Sequence, residues 1–197
     1  MAELVHVMFD LETLGTVPGC VGLSIGAVEF RPHTGELGDT FYVVIDVDSS
    51  LDHFLTEDPD TVQWWLGQSE EARAVLTEAR SGNASSLPDA MNALNAWLAK
   101  LGPGSKIRSW GNGADFDNPI LRVMYDAANV KPYAGSYGGR CYRTVKNLDE
   151  LFGEFFKFEK LDRGRDRVGV HHNALDDAKS QAIHLMRNIA LIKEKMK

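Results

Sequence analysis

The sequence predicts an α/β fold in which a mixed five-stranded sheet is flanked by helices. Three observations lead to this prediction: apolar strand-like segments begin the chain, a helical periodicity starts near residue 59, and a long amphipathic segment ends it. The length of 197 residues, of which 44% are hydrophobic and 25% charged, suits a single globular domain over residues 1–197.

Three strands are predicted first, at residues 4–9, 21–30 and 41–47, because each segment is rich in β-branched and other apolar residues. Glycine and proline mark turns between them at 15–19 and 32–35. Connections this short favour antiparallel neighbours, so the three strands are expected to form a meander.

Helical periodicity follows from residue 59, where Val62, Trp65 and Leu66 fall on one face. Ser86 is a suitable N-cap for a longer helix that ends just before Gly102. The remaining predicted elements are a strand at 106–111, a helix at 118–128, a fifth strand at 141–145 leading into a short helix, and a final helix at 173–195.

The composition excludes several classes of protein. No segment approaches the roughly 20 apolar residues of a membrane-spanning helix, and the N-terminus lacks the basic and apolar regions of a signal peptide. Cys20 and Cys141 are too few for a disulfide framework and too isolated for a zinc site. We therefore expect a cytoplasmic protein in a reducing compartment, with no membrane partner.

Charge is distributed unevenly along the chain. The net charge is -7, but residues 1–130 carry a net charge of -12 and residues 131–197 a net charge of +5. The overall acidity argues against a nucleic-acid partner, whereas the asymmetry fits a carboxylate-rich pocket combined with a basic face. An unevenly charged, solvated surface is an equally good explanation of the asymmetry.

Two carboxylates lie at the end of the first predicted strand. Asp10 and Glu12 are two residues apart, so the alternation of a β-strand places both on one face and Leu11 on the other. Adjacent carboxylates repel each other unless a cation compensates their charge, so the pair indicates a site for a hard metal ion. A solvated turn is the alternative when the pair is considered alone.

A second acidic pair, Asp115 and Asp117, lies between the fourth strand and the helix that follows it. Either carboxylate suits a metal ligand at an edge expected to neighbour the first strand. Either could also cap the helix and complement the positive end of its dipole.

A third cluster precedes the last helix. His171 or His172 could share a pocket with an aspartate of the first helical turn, and an imidazole there would titrate near neutral pH. The aspartate is Asp176 or Asp177. Surface histidines, and aspartates that only complement the helix dipole, are the alternatives.

Together the three clusters resemble the exonuclease motifs of the DEDDh superfamily of 3'-to-5' exonucleases. The motifs are matched in order and spacing by Asp-Leu-Glu-Thr at 10–13, Phe-Asp at 116–117 and His-x-Ala-x-x-Asp at 172–177. Two longer segments, at 110–117 and 61–69, are similar to the branch that includes phage exodeoxyribonuclease A and the mycobacterial-type 3'-to-5' exoribonuclease. The resemblance covers nearly the whole chain.

The resemblance implies a ribonuclease H-like fold and a metal-dependent 3'-to-5' exonuclease. Such an enzyme hydrolyses phosphodiester bonds at the 3' end of single-stranded or frayed DNA or RNA and releases nucleoside 5'-monophosphates. Two alternatives are an exoribonuclease that trims RNA 3' overhangs and, from another class, a catalytically silent nucleic-acid-binding module. The implied cofactor is a pair of Mg²⁺ ions, for which Mn²⁺ is expected to substitute. Dimers are common among similar enzymes, so a homodimer is one expected assembly.

The resemblance also implies which carboxylates bind metal and which histidine is the general base. These residues are Asp10, Glu12, Asp117, Asp177 and His172. Their neighbours Asp115, His171 and Asp176 are then expected to tolerate substitution better. The chain departs from the family at Arg143-Thr144, where many members carry Asp-Thr, so Thr144 receives no role.

Substrate contacts are expected from residues around the motifs. Leu14, which follows Thr13 of the first motif, could wedge beside a base as in similar enzymes. Trp64 and Trp65 diverge by about 100° on a helix, so Trp64 is predicted to be exposed for stacking and Trp65 to be core, with ordinary packing an alternative for both. A basic segment is predicted to bind phosphates, with a solvated loop as the alternative. Its cations are Lys157, Lys160, Arg163, Arg165 and Arg167.

Overall fold

A five-stranded sheet with the strand order β3-β2-β1-β4-β5 forms the centre of the computed structural model, which describes residues 3–153 and 167–196. Strands β1, β2 and β3 pair antiparallel, and β4 and β5 continue the sheet in parallel from the other side of β1. The predicted mixed sheet with its meander is confirmed. The strands are β1 (Val5–Thr13), β2 (Gly22–Arg31), β3 (Glu36–Val44), β4 (Ile107–Gly111) and β5 (Arg140–Cys141).

The first four helices begin at polar caps. Asp46, Asp58, Ser69 and Ser86 each accept a backbone N–H from the first turn of one of the first four helices. None of the helices described has both the length and the apolarity to cross a membrane. They are α1 (Val47–Asp52), α2 (Pro59–Leu66), α3 (Glu70–Glu78), α4 (Leu87–Leu101), α5 (Asp117–Ala127), α6 (Tyr142–Lys146), α7 (Asp149–Phe152) and α8 (Ala174–Lys195).

The sheet separates two apolar layers. On one face Val7, Phe9 and Leu11 of β1 join a large core with α4 and α5. On the other face Met8 belongs to a smaller cluster with residues of α8 such as Leu185. Because side chains alternate along β1, the face that carries Met8 also carries Asp10 and Glu12 at the end of the strand.

Three predicted elements differ from the structure. The predicted fifth strand at 141–145 is wrong beyond Cys141, because the buried Tyr142 and the partly buried Val145 have the i, i+3 spacing of helix α6. The third strand begins and ends earlier than predicted, since Asp46 caps α1, a helix that the apolar run at 41–47 concealed. Leu66 is exposed, so it does not share the buried face of α2.

Candidate active site

A cavity of about 730 Å³ opens at the carboxyl end of β1, between α2 and the start of α8. Asp10, Glu12 and Asp177 line it, and each offers a carboxylate oxygen that lies within 4.8 Å of the others. His172 lines the same cavity. The structure therefore brings residues of the first and third motifs, 165 positions or so apart, into one site.

The approach of α8 to the sheet depends on Gly26. This residue lies opposite Asp10 in the pairing of β1 with β2. A Cβ atom at this position would collide with the backbone of Ala174 and Leu175. The absence of a side chain at Gly26 thus lets the first turn of α8 pack on the sheet and bring Asp177 to Asp10.

Asp177 is oriented by two donors. Its Oδ2 accepts the backbone N–H of His172 at 3.0 Å, and its Oδ1 pairs with Nη1 of Arg167, also at 3.0 Å. Asn173 caps α8 by accepting the backbone N–H groups of Leu175 and Asp176. Asp177 is therefore held on a rigid helical turn whose start is fixed by its own cap.

Asp117 is more deeply buried than the other three carboxylates. It is 1% exposed, and its two oxygens accept the backbone N–H groups of Leu11 at 3.2 Å and Asn112 at 2.6 Å. Gly111 makes room for it, since a Cβ there would lie 2.8 Å from that of Asp117. Asp115 is exposed. Of this pair, only Asp117 therefore belongs to the site, and its role as a metal ligand stays a prediction.

Mutual repulsion and burial shift the titration of these acids. Burial raises the pKa of Asp10 well above its usual range, and the charges of Asp117, Glu12 and Asp177 raise it further. Burial, followed by repulsion from Asp177 and Asp117, raises the pKa of Glu12 to about 8. For Asp117 burial raises the pKa to about 6, against the effect of its backbone donors. Without a cation the site therefore retains protons near neutral pH.

His172 is held in an unusual conformation beside this cluster. Its backbone has a φ of 64°, in the left-handed region that a histidine rarely adopts. Its ring contacts Trp64 and Trp65 edge-on, with centroid separations of 4.9 and 5.9 Å. Burial, assisted by neighbouring His171, lowers the pKa of His172. The imidazole is therefore neutral at physiological pH, as a proton acceptor must be.

The residues present fit a divalent metal ion. Three carboxylates offer the hard oxygen ligands that Mg²⁺ and Mn²⁺ prefer, and their repulsion in the cation-free site is the charge such ions would compensate. Two amide oxygens of cavity-lining residues, Oε1 of Gln181 and Oδ1 of Asn112, are buried without a hydrogen-bond partner in the described structure. Unsatisfied buried acceptors of this kind are expected where waters or ions bind.

The two tryptophans divide as the helical spacing predicted. Trp65 is 1% exposed, and its Nε1 donates to the backbone oxygen of Thr13 at 2.9 Å. Trp64 is 47% exposed and lines the cavity. Their rings nevertheless meet, with centroids 5.2 Å apart, and both contact His172.

The other predicted substrate contacts fare differently. Leu14 is 1% exposed and packs in the core, so it has no free surface to wedge beside a base. The hydroxyl of Thr13 donates to the oxygen of Gly15 at 2.6 Å, at the wall of the cavity. Arg167 is not a free phosphate ligand, since it pairs with Asp177. Four of the predicted cations lie outside the described residues, namely Lys157, Lys160, Arg163 and Arg165.

Gln181 and Lys146 are among the polar cavity residues that sequence reasoning missed. Gln181 follows Asp177 by four residues, the spacing that places two side chains on one helix face, and this signal was available. Lys146 ends α6, with its Nζ 5.4 Å from the ring centroid of Tyr142. A strand was predicted at 141–145, so the helix that places Lys146 at the cavity was not foreseen.

Comparisons with known proteins agree with this geometry. The model of the family described as the 3'-5' exoribonuclease Rv2179c-like domain matches residues 5–189. No curated protein matches the sequence significantly.

Solved structures of nucleases share the fold. The nuclease domain of 3'hExo, a DEDDh family member bound to rAMP, is 17% identical with a TM-score of 0.60 over 94% of this chain and 92% of that one. Cell-death related nuclease 4 is 16% identical with a TM-score of 0.64 over 95% and 64%. The zinc-bound complex of E. coli ExoI with single-stranded DNA is 16% identical with a TM-score of 0.57 over 98% and 41%. The chain therefore has the ribonuclease H-like fold of DEDDh exonucleases.

Proposed function

Because the chain belongs to the family of 3'-5' exoribonuclease Rv2179c-like domains, we propose that it is a metal-dependent 3'-to-5' exonuclease. It hydrolyses the last phosphodiester bond of a single-stranded or frayed end and releases a nucleoside 5'-monophosphate. The observation that carries this proposal is the meeting of Asp10, Glu12 and Asp177 within 4.8 Å beside a histidine. A module that only binds nucleic acid would not need this costly grouping of like charges.

The acidic residues hold the cofactor in this proposal. Asp10, Glu12 and Asp177 would hold a pair of Mg²⁺ ions, with Asp117, whose carboxylate is fixed by its backbone donors, as the fourth ligand. Two bound divalent ions would supply activation of the attacking water and compensation of the charge on the leaving oxygen. The backbone donors of Asp117 and Asp177 keep those carboxylates in place before any cation arrives.

His172 is the general base. Its lowered pKa keeps the ring neutral, so it can take the proton of the attacking water as the oxygen of that water bonds to phosphorus. The bond between phosphorus and the 3'-oxygen breaks, and the departing 3'-oxygen gains a proton from solvent. The edge contacts with Trp64 and Trp65 fix the orientation of the imidazole.

The walls of the cavity provide for the nucleotide itself. The exposed part of Trp64 offers a face for a base to stack on, a contact worth roughly 1–3 kcal/mol. Lys146 lines the same cavity, and no carboxylate pairs with it among the residues described, so its ammonium group is available to a phosphate. These contacts recognise any base, which suits an enzyme that removes successive nucleotides.

RNA is the substrate class that the family description favours over DNA. The alternative form of the proposal is therefore an exoribonuclease that trims RNA 3' overhangs. Recognition of RNA would require a group that meets the terminal 2'-hydroxyl. Thr16 and Thr61 at the mouth of the cavity carry hydroxyl groups suited to that contact.

The direct test is degradation of 5'-labelled RNA and DNA single strands, and of RNA duplexes with 3' overhangs, with Mg²⁺ or with EDTA. We expect a ladder that shortens from the 3' end, only with Mg²⁺, and nucleoside 5'-monophosphates as products. A 3'-phosphate block should suppress the ladder. Internal cleavage of blocked strands, or equal degradation in EDTA, would contradict the proposal.

Substitution of His172 tests its role as the base. His172→Ala should lower kcat by about 10²–10³-fold, in the range that a lost general base produces. Affinity for Mn²⁺, measured by calorimetry, should change little. The comparison variant is His171→Ala: this ring is exposed but stacks on that of His172 at 3.7 Å, so its removal should cost activity but far less than His172→Ala. Equal losses in the two variants would remove His172 from the mechanism.

A further inference from the structure

The carboxylates of the site differ in what holds them. Asp117 accepts two backbone N–H groups, and Asp177 accepts one together with the guanidinium of Arg167. In the described structure Asp10 has a single donor, the side-chain Nε2 of Gln181, at 2.6 Å from its Oδ1. The orientation of the central carboxylate therefore depends on one side chain, whereas backbone N–H groups help to hold Asp117 and Asp177.

Gln181 is built into the fold as a fixed donor. It is 7% exposed and lies one helical turn after Asp177 on the face of α8 that lines the cavity. Helix α8 packs against β1, so the amide and Asp10 approach each other from two regular elements. Among the residues described, its Oε1 is buried with no hydrogen-bond partner, so the hydrogen bond that Nε2 donates to Asp10 is the one that this buried amide makes there.

From this contact we propose that Gln181 is the positioning residue of Asp10. It donates to one carboxylate oxygen and thereby leaves the other directed at the space shared with Glu12 and Asp177. The inference rests on the proposed function, because its purpose is to prepare Asp10 for metal binding.

The chemistry of an amide suits this task. A lysine or arginine in its place would bring a positive charge that repels the cations the site is proposed to hold. An amide N–H fixes the oxygen and adds no charge. Partners that lie behind metal ligands generally tune affinity in this way, and their loss costs about 10–100-fold in metal affinity or activity.

The experiment compares Gln181→Met with Asn188→Leu. Methionine keeps the length of glutamine but removes the donor. Asn188 is the matched control, because it is another buried amide of α8 with an unpartnered oxygen, and it contacts His184 rather than a carboxylate. Mn²⁺ affinity is measured by calorimetry and by electron paramagnetic resonance without nucleic acid, together with the Tm of the metal-free proteins.

We expect Gln181→Met to bind Mn²⁺ about 10–100-fold more weakly than the parent. Its metal-free Tm should stay close to that of Asn188→Leu, and excess Mn²⁺ should restore most of its kcat. Unchanged Mn²⁺ affinity in a folded Gln181→Met protein would overturn the proposal, as would an equal loss in Asn188→Leu.

A second variant covers the case in which Gln181→Met does not fold. Gln181→Asn keeps the amide but shortens it by one methylene, so it no longer reaches Asp10, and it should show the same loss of Mn²⁺ affinity. A parent protein that binds no Mn²⁺ and degrades no RNA would instead refute the proposed function. The two failures are therefore distinguishable.

Discussion

The two ends of the contact between β1 and α8 are built from the same elements but with opposite chemistry. At one end Met8 of β1 and Leu185 of α8 are completely buried in an apolar cluster. At the other end, two residues further along the same face of β1, Asp10 meets Asp177 and Gln181 of α8. The strand and the helix continue regularly from one end to the other.

The contact between β1 and α8, called the seam below, therefore stabilises the fold at its apolar end and carries the candidate site at its acidic end. The apolar end gains free energy from burial, about 25 cal/mol per Å² of apolar surface. The acidic end loses free energy, because burial and mutual repulsion raise the pKa of Asp10 and of Glu12. The packing of Met8 and Leu185 therefore supports an arrangement of carboxylates that would not hold together by itself.

The largest effect is expected from replacing Asp10, and it tests the contrast between the acidic and the apolar end. Asp10→Asn removes the central carboxylate, so the nuclease activity proposed here should fall by at least about 10³-fold. The Tm of the metal-free protein should rise at neutral pH, because asparagine is neutral without the proton that burial and repulsion force Asp10 to take up on folding. Exonuclease assays and thermal unfolding in EDTA measure the two quantities. Asp115→Asn, an exposed neighbour of the second motif, is the control and should change neither. A lowered Tm would show that Asp10 stabilises the fold, against the comparison.

Met8→Ala tests the apolar end and should have the opposite outcome. Truncating a buried methionine costs about 2–5 kcal/mol, which for a chain of this size lowers Tm by roughly 5–15 °C. The kcat at 20 °C should remain within about twofold, since Met8 is not among the described residues that line the cavity. A large fall in kcat together with the fall in Tm would mean that the apolar end also determines activity, which would contradict the comparison.

The sequence predicted most of the seam because its signals are local. Period-two alternation placed Asp10 and Glu12 on one face, and the spacing from His172 to Asp177 placed both at the start of α8. Choosing Asp117 over Asp115 depended on the family resemblance, since either acid suits a helix start. The structure adds the physical reason: Asp117 is buried and accepts two backbone N–H groups, whereas Asp115 is exposed.

The features that sequence reasoning missed depend on contacts between distant segments. Leu14 was assigned to the substrate, but packing against the core buries it, and nothing in the residues around it signals that burial. The contact of Gln181 with Asp10 joins residues 171 positions apart. The rings of Trp64 and Trp65 both reach His172 because α2 packs beside the start of α8. Propensity and periodicity describe one element at a time and do not contain such contacts.

The last effect concerns the stability of metal-free Glu12→Gln, and it depends on pH. The pKa of Glu12 is about 8 in the folded protein, against 4.5 for an ordinary glutamate. Between these values the folded state holds a proton that the unfolded state has released, so the stability of the metal-free parent falls as pH rises. Glutamine does not titrate. The Tm of Glu12→Gln should therefore match that of the parent near pH 4.5 and exceed it by a margin that grows up to pH 8.

Thermal unfolding in EDTA from pH 4.5 to 8.5 measures this gap. Mg²⁺ competes with protons for the same oxygens, so the increase in Tm that it gives the parent should itself grow over this pH range and be smaller in Glu12→Gln. A gap that does not vary with pH would mean that Glu12 is ionised in the folded protein at pH 5. The acidic end of the seam would then carry its charge without cost, and the contrast with the apolar end would be lost.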